Sequence, residues 1–148
     1  MISKKAKYAL NALLLLTREY GKGPVMTSYI AETEHIPAKF LETILLEMKR
    51  SGILSSKKGA GGGYYLRKQP SEINIADIMR VFDGPIALLP CVTYRFYERC
   101  EECKDEDICS IRKAFQEVRE ASVKILKSYN LQQLADYEDQ LREELKNL

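Results

Sequence analysis

Four cysteines, Cys91, Cys100, Cys103 and Cys109, are the only ones in a chain of 148 residues. They follow one another as C-x8-C-x2-C-x5-C. Thiols scattered through a sequence pack cores or form staples, whereas thiols this close can converge on one metal centre. Four thiolates with one C-x2-C pair suit a tetrahedral zinc ion, although structural zinc usually shows two such pairs. Iron–sulfur clusters also take four cysteine thiolates and tolerate irregular spacing. Spacing alone leaves the two open. A thioredoxin-type pair at Cys100 and Cys103 is disfavoured, because Glu98, Glu101, Glu102, Asp105, Glu106 and Asp107 surround it. Such redox pairs need an electropositive setting that lowers the thiol pKa, so the chain does not read as an enzyme.

The elements that would position these thiols follow from charge and periodicity. The chain is 45% hydrophobic and 30% charged, the balance of a soluble globular protein. The longest aliphatic run, Ala12–Leu16, is far too short to span a membrane, and the start carries no cleavage-site pattern. A cytoplasmic protein with reduced thiols is the expectation. Residues 1–70 hold 12 Lys/Arg against 5 Asp/Glu, and residues 71–148 hold 11 against 16. A basic half joined to an acidic one points the first half toward a polyanion such as nucleic acid.

A strongly apolar helical pattern runs from Lys4 to Tyr20 and ends at Gly21-Lys22-Gly23-Pro24. Thr27 or Ser28 can cap a short helix to about Glu34. Pro37 opens the next helix, which buries Leu41, Ile44, Leu45 and Met48 and shows Lys39, Glu42, Thr43, Lys49 and Arg50 on its other face. This is a helix-turn-helix. Residues 52–58 read as a strand, 59–63 as a glycine turn and 64–67 as the return strand, which together make a wing. A further helix is expected over 74–82, with Ile75, Ile78, Met79 and Phe82 inward. Ser110 then caps a long helix to about Ser128. Ile111, Ala114, Phe115, Val118, Ala121, Ser122 and Ile125 line one face of it, widened by Val123 and Leu126. So broad an apolar face calls for a second copy of the chain. Residues 131–148 form a charge-rich terminal helix.

The fold class expected is mainly α: a winged helix-turn-helix over residues 1–84, a cysteine loop over 85–109, and a dimerisation helix with a C-terminal helix over 110–148. Phosphate contacts fall to Lys4, Lys5, Lys7, Lys57 and Lys58, with Tyr8, Thr27 and Ser28 nearby. Lys39, Glu42 and Thr43 are placed to reach base edges, Glu42 as an acceptor from a cytosine amine or as a repulsive filter. The glycine run has neither the P-loop nor the dinucleotide pattern and is not a nucleotide site. His35, the only histidine, sits in the helix-turn-helix turn far from the thiols and reads as structural.

Ser3–Leu10, Phe40-Leu41-Glu42, the wing Leu54–Tyr64 and the cysteine loop together resemble the Rrf-two family of bacterial winged-helix regulators, with its IscR-, NsrR- and CymR-like branches. The resemblance spans about residues 1–135. It implies a homodimer on a palindromic double-stranded DNA operator, with wing contacts that include Gly61, Gly62 and Tyr64 and the long helix as the dimer interface. It also implies control by a 2Fe–2S or 4Fe–4S cluster that senses iron–sulfur status, nitric oxide or redox state. Cluster-free branches respond instead to zinc, thiol oxidation or a protein partner. The cysteines match in part: Cys91, Cys103 and Cys109 fall near the family's three, with a longer first gap, and Cys100 is additional. The family's non-cysteine ligand positions are Arg112 and Lys7 here, neither of them a ligand. Cys100 is therefore assigned as the fourth ligand.

Overall fold

The computed structural model describes residues 1–148 and contains six α-helices and one two-stranded antiparallel sheet. α1 (Lys4–Arg18) starts where the Ser3 hydroxyl accepts the Ala6 amide at 3.0 Å, which satisfies one of the free donors of a helix start. Ala6, Ala9 and Ala12 are fully buried beside Leu13 and Leu16. These small side chains let neighbouring helices come close to α1. α2 (Thr27–Glu34), α3 (Ala38–Arg50), α4 (Ile75–Asp83) and α6 (Leu131–Lys146) all pack on it.

α2 and α3 are joined by His35, whose backbone lies in the left-handed region (φ 53°, ψ 43°), followed by buried Ile36 and by Pro37. His35 stops α2, and Pro37 at the start of α3 gives up an amide the helix would leave free. The stripe Leu41, Ile44, Leu45 and Met48 is completely buried, as its spacing predicts. Each such side chain contributes roughly 1.5–3 kcal/mol through apolar burial. α3 therefore has one face fixed in the core and the other turned to solvent.

β1 (Leu54–Lys57) and β2 (Gly63–Leu66) form the wing in the register Leu54–Leu66, Ser55–Tyr65, Ser56–Tyr64 and Lys57–Gly63. Leu54 and Leu66 anchor it in the core. Gly59 (φ 91°) and Gly61 (φ 72°) turn the tip, which a residue with a side chain resists. In α4, Ala76 and Ile78 are buried, whereas Ile75, Met79 and Phe82 are only half-buried.

α5 (Ser110–Ser128) leaves this body after the cysteine loop. Cys109, not Ser110, is its N-cap, and the Cys109 sulfur accepts the Arg112 amide at 3.4 Å. Sulfur is a weak acceptor, which explains why Ser110 looked like the better cap. Only Arg119 of α5 is buried. Phe115, Ser122, Val123 and Leu126 are half-buried. Ile111, Ala114, Val118, Ala121 and Ile125 are all exposed, and at 3.6 residues per turn they share an arc of about 80°. The expected single broad face is thus two faces, one turned to the body and the other bare.

α6 returns to the body built around α1. Its cap is a box in which Asn130 and Gln133 accept each other's backbone amides. Leu131 is fully buried in the main core together with Leu13, Leu41 and Ile78. Arg18 on α1 pairs with Glu138 at 2.6 Å.

Candidate functional site

Two regions carry the chemistry expected from the sequence. The first is the surface made by the start of α1, the start of α2, the outer face of α3 and the wing. Lys4, Lys7, Ser28, Lys39, Glu42, Thr43, Lys57, Lys58 and Gly61 are exposed there, while Tyr8, Thr27, Gly62 and Tyr64 are half-buried. Thr27 and Ser28 lie inside α2, and the cap position is Met26, which makes no side-chain bond. The expected cap is therefore absent, and the first amides of α2 stay free. An uncapped helix start offers N–H donors and a positive dipole end to a phosphate.

Lys4 lies over the Tyr8 ring, 5.7 Å from its centroid, and Tyr8 meets Phe40 edge to face at 5.6 Å. This chain of contacts links the α1 lysines to the start of α3. Lys5 differs from its neighbours: its ammonium pairs with Glu47 of α3 and sits 5.9 Å from the Phe82 ring centroid. Its charge is already engaged within the protein.

The wing is locked at its base. Val25 and Tyr64 exchange two backbone hydrogen bonds, at 2.8 and 2.9 Å. A Cβ on Gly63 would stand 2.1 Å from the Val25 carbonyl oxygen, and one on Gly62 would stand 2.3 Å from the Lys57 oxygen. Both glycines are there because nothing larger fits.

The second region is a cavity of about 620 Å³ lined by all four cysteines, with Pro90 and Arg112 on its wall. Cys91 is buried, Cys103 and Cys109 are half-buried and Cys100 is exposed. Cys91 lies in a 3-10 turn, Pro90–Val92, whose Cys91 carbonyl accepts the Arg112 Nε–H at 3.3 Å. The Cys103 amide donates to the Cys100 carbonyl at 3.1 Å and so closes the C-x2-C turn. As these side chains stand, no three His, Cys, Asp or Glu groups are arranged to hold a metal ion. His35 is exposed on the helix-turn-helix and has no part in the cavity.

The loop's carboxylates act on its polar groups. The Cys100 thiol donates to Glu102 at 3.1 Å, which holds it above the ordinary thiol range and holds Glu102 below the usual carboxylate range. Tyr97 donates to Glu106 and is likewise raised. A thiol held protonated is a poor nucleophile, so Cys100 is unsuited to thioredoxin-type chemistry. Arg119 carries no local signal in the sequence. It packs its guanidinium 3.9 Å from the Tyr94 ring centroid and donates to the Tyr94 hydroxyl at 2.8 Å.

Comparison with known proteins agrees with this geometry. Residues 2–137 match the model of the Rrf2 family, described as an iron-dependent transcriptional regulator. A protein of Rhodobacter capsulatus described as rrf2-like is 39% identical over 90% of this chain and 91% of its own. The HTH-type transcriptional regulator CymR of Bacillus subtilis is 32% identical over 93% of this chain and 91% of its own. The solved structure of the same CymR, titled the global cysteine regulator, superposes with a TM-score of 0.77 at 31% identity, covering 93% of this chain and 97% of that one. No helix is long and apolar enough to cross a membrane. A buried α3 stripe, a wing tied to the start of α2 and a match over nearly the whole length converge: the chain belongs to the Rrf2 family of winged-helix transcriptional regulators and is not an enzyme.

Proposed function

We propose that the chain is a cytoplasmic homodimeric regulator that binds a palindromic operator, with an affinity set by an iron–sulfur cluster held by Cys91, Cys100, Cys103 and Cys109. The observation that carries this reading is the single cavity that all four thiols line. The donor set suits the group: four sulfurs are the usual complement of a 2Fe–2S or 4Fe–4S cluster. The C-x2-C turn sets two of them side by side, and the positive end of α5 faces a third, Cys109. When bound, the cluster would supply a group that responds to oxidation or nitric oxide.

The chain's own residues provide the coupling. Cys91 and Cys109 are both tied to the first turn of α5, one through Arg112 and the other as its cap. A change in the loop therefore biases how α5 begins. The bare seam Ile111, Val118 and Ile125 is the dimer contact in this reading, its seven-residue spacing being that of helices packed side by side. Two states that differ in the setting of α5 would differ in the separation of the two α3 helices, and effectors favour one by binding it better. A coupling of roughly 1–3 kcal/mol changes affinity about 5- to 150-fold.

Likeness to CymR, together with a solved structure titled as the oxidised form of Staphylococcus aureus CymR, favours a second reading: the same DNA-binding dimer without a cluster, controlled by thiol oxidation, zinc or a protein partner. An absorption spectrum with iron, sulfide and zinc analysis on anaerobically purified protein separates the two. Brown protein with matching iron and sulfide supports the cluster. Colourless protein with one zinc per chain, or with no metal, moves control to the second reading.

A further inference from the structure

A second cavity, of about 890 Å³, lies between α4, residues 84–96 and residues 119–127 of α5. Its volume is that of a metabolite site. Five cations line it, Arg80, Arg95, Arg119, Lys124 and Lys127, against two carboxylates, Asp77 and Glu120. Arg80 is already paired with Asp77 at 3.4 Å, and Arg119 with Glu120 at 3.4 Å. Arg95, Lys124 and Lys127 have no carboxylate partner, so the wall holds a surplus of positive charge.

Arg119 is the unusual member. It is 8% exposed, and its Nε is buried without a hydrogen-bond partner. Nη2 alone is engaged, with Tyr94 and Glu120. A buried guanidinium with a free donor costs stability unless something pairs with it, and its fork of donors matches a carboxylate or phosphate. Tyr94 stacks on the guanidinium yet is 84% exposed itself; it is a cover that a rotation about the side chain would lift.

We propose that this cavity is an anion-binding site for a small organic acid or phosphate ester, with Arg119 receiving the anionic group and Lys124 and Lys127 completing its charge balance. Pro85, Ile86 and Phe96 give the apolar wall that an organic body would rest on. None of the four cysteines lines it. It bridges the DNA-binding body and α5, so its ligand would act on the same helix as the loop.

The test titrates full-length protein with pyrophosphate and, separately, with citrate, at constant ionic strength against a sodium chloride control. Calorimetry and melting temperature are the readouts. Saturable binding of either anion is expected, and which one binds tells phosphate from carboxylate recognition. The doubly substituted Lys124→Gln, Lys127→Gln protein changes exposed residues only and should bind about tenfold more weakly. Arg119→Lys keeps the charge but loses the fork and should weaken binding as well. Lys57→Ala with Lys58→Ala on the wing should leave binding intact. No saturable binding of either anion at millimolar concentration would overturn the proposal. So would binding lost with the wing lysines and unchanged in the Lys124/Lys127 protein.

Discussion

Gly63 and Val25 touch through their backbones: a Cβ on the glycine would lie 2.1 Å from the Val25 carbonyl oxygen. The wing's return strand is thereby seated on the residues just before α2. Gly63→Ala must open this contact and the adjacent Val25–Tyr64 pair. Overpacking of this kind costs about 1–3 kcal/mol, so the expected result is a lower melting temperature and weaker DNA binding with helix content retained in circular dichroism.

Lys58 stands exposed at the wing, with no partner in the protein. Lys58→Ala should weaken binding to all DNA sequences alike and reduce the slope of log affinity against log salt by about one. Lys5→Ala should instead lower stability, because its partner Glu47 would be left half-buried and unpaired. A titration at several salt concentrations distinguishes the two roles; an altered base preference in Lys58→Ala would place the wing elsewhere.

Cys91→Ala should abolish the colour of the anaerobically purified protein and leave a folded dimer, since the lost side chain is small and its backbone bond to Arg112 survives. Full colour in this variant would remove Cys91 from the ligand set.

Val118 lies midway along the bare seam of α5 and is 45% exposed in the single chain. Val118→Glu should shift sedimentation from dimer to monomer without unfolding the chain, because the single chain leaves nearly half of that side chain open to water. A dimer that persisted unchanged would exclude the seam as the contact.

The Cys100 thiol is raised by its hydrogen bond to Glu102. A raised pKa means less thiolate at neutral pH, so Glu102→Gln, which removes the negative charge, should increase the thiolate fraction. Site-resolved alkylation across pH 7–9 should then show Cys100 reacting faster and its rise beginning at lower pH than in the parent. An unchanged profile would show that the Glu102 contact does not govern the thiol.

Periodicity sufficed wherever one face is buried by one neighbour. Leu41, Ile44, Leu45 and Met48 are all fully enclosed as their spacing predicts, and the glycine-rich tip turns where expected. It failed where burial depends on distant chain. Phe115, Val123 and Leu126 form a separate inner face of α5, because the loop and α4 pack there. Lys5 pairs with a residue 42 positions away, and no local rule assigns that. Capping differs from expectation at Thr27 and Ser110, since hydroxyl residues one step inside a helix look like caps in a sequence. Arg119 was invisible because a single arginine on a helix reads as solvated.

α5 is held at both ends. Its start is bound to the Cys91 turn through Arg112. At its end, Ile75 N–H donates to the Tyr129 carbonyl at 3.1 Å and Leu131 N–H donates to that of Ile73 at 2.9 Å. Its 19 residues span about 28 Å, so the helix is a lever with its fulcrum at Asn130. An ångström of sideways movement at Cys109 tilts it by only about 2°. In the proposed dimer such a tilt would be expressed twice, once in each copy, with a displacement that grows with distance from the fulcrum. Under the proposed coupling, small geometry at sulfur would become an angular demand on the spacing of two operator half-sites.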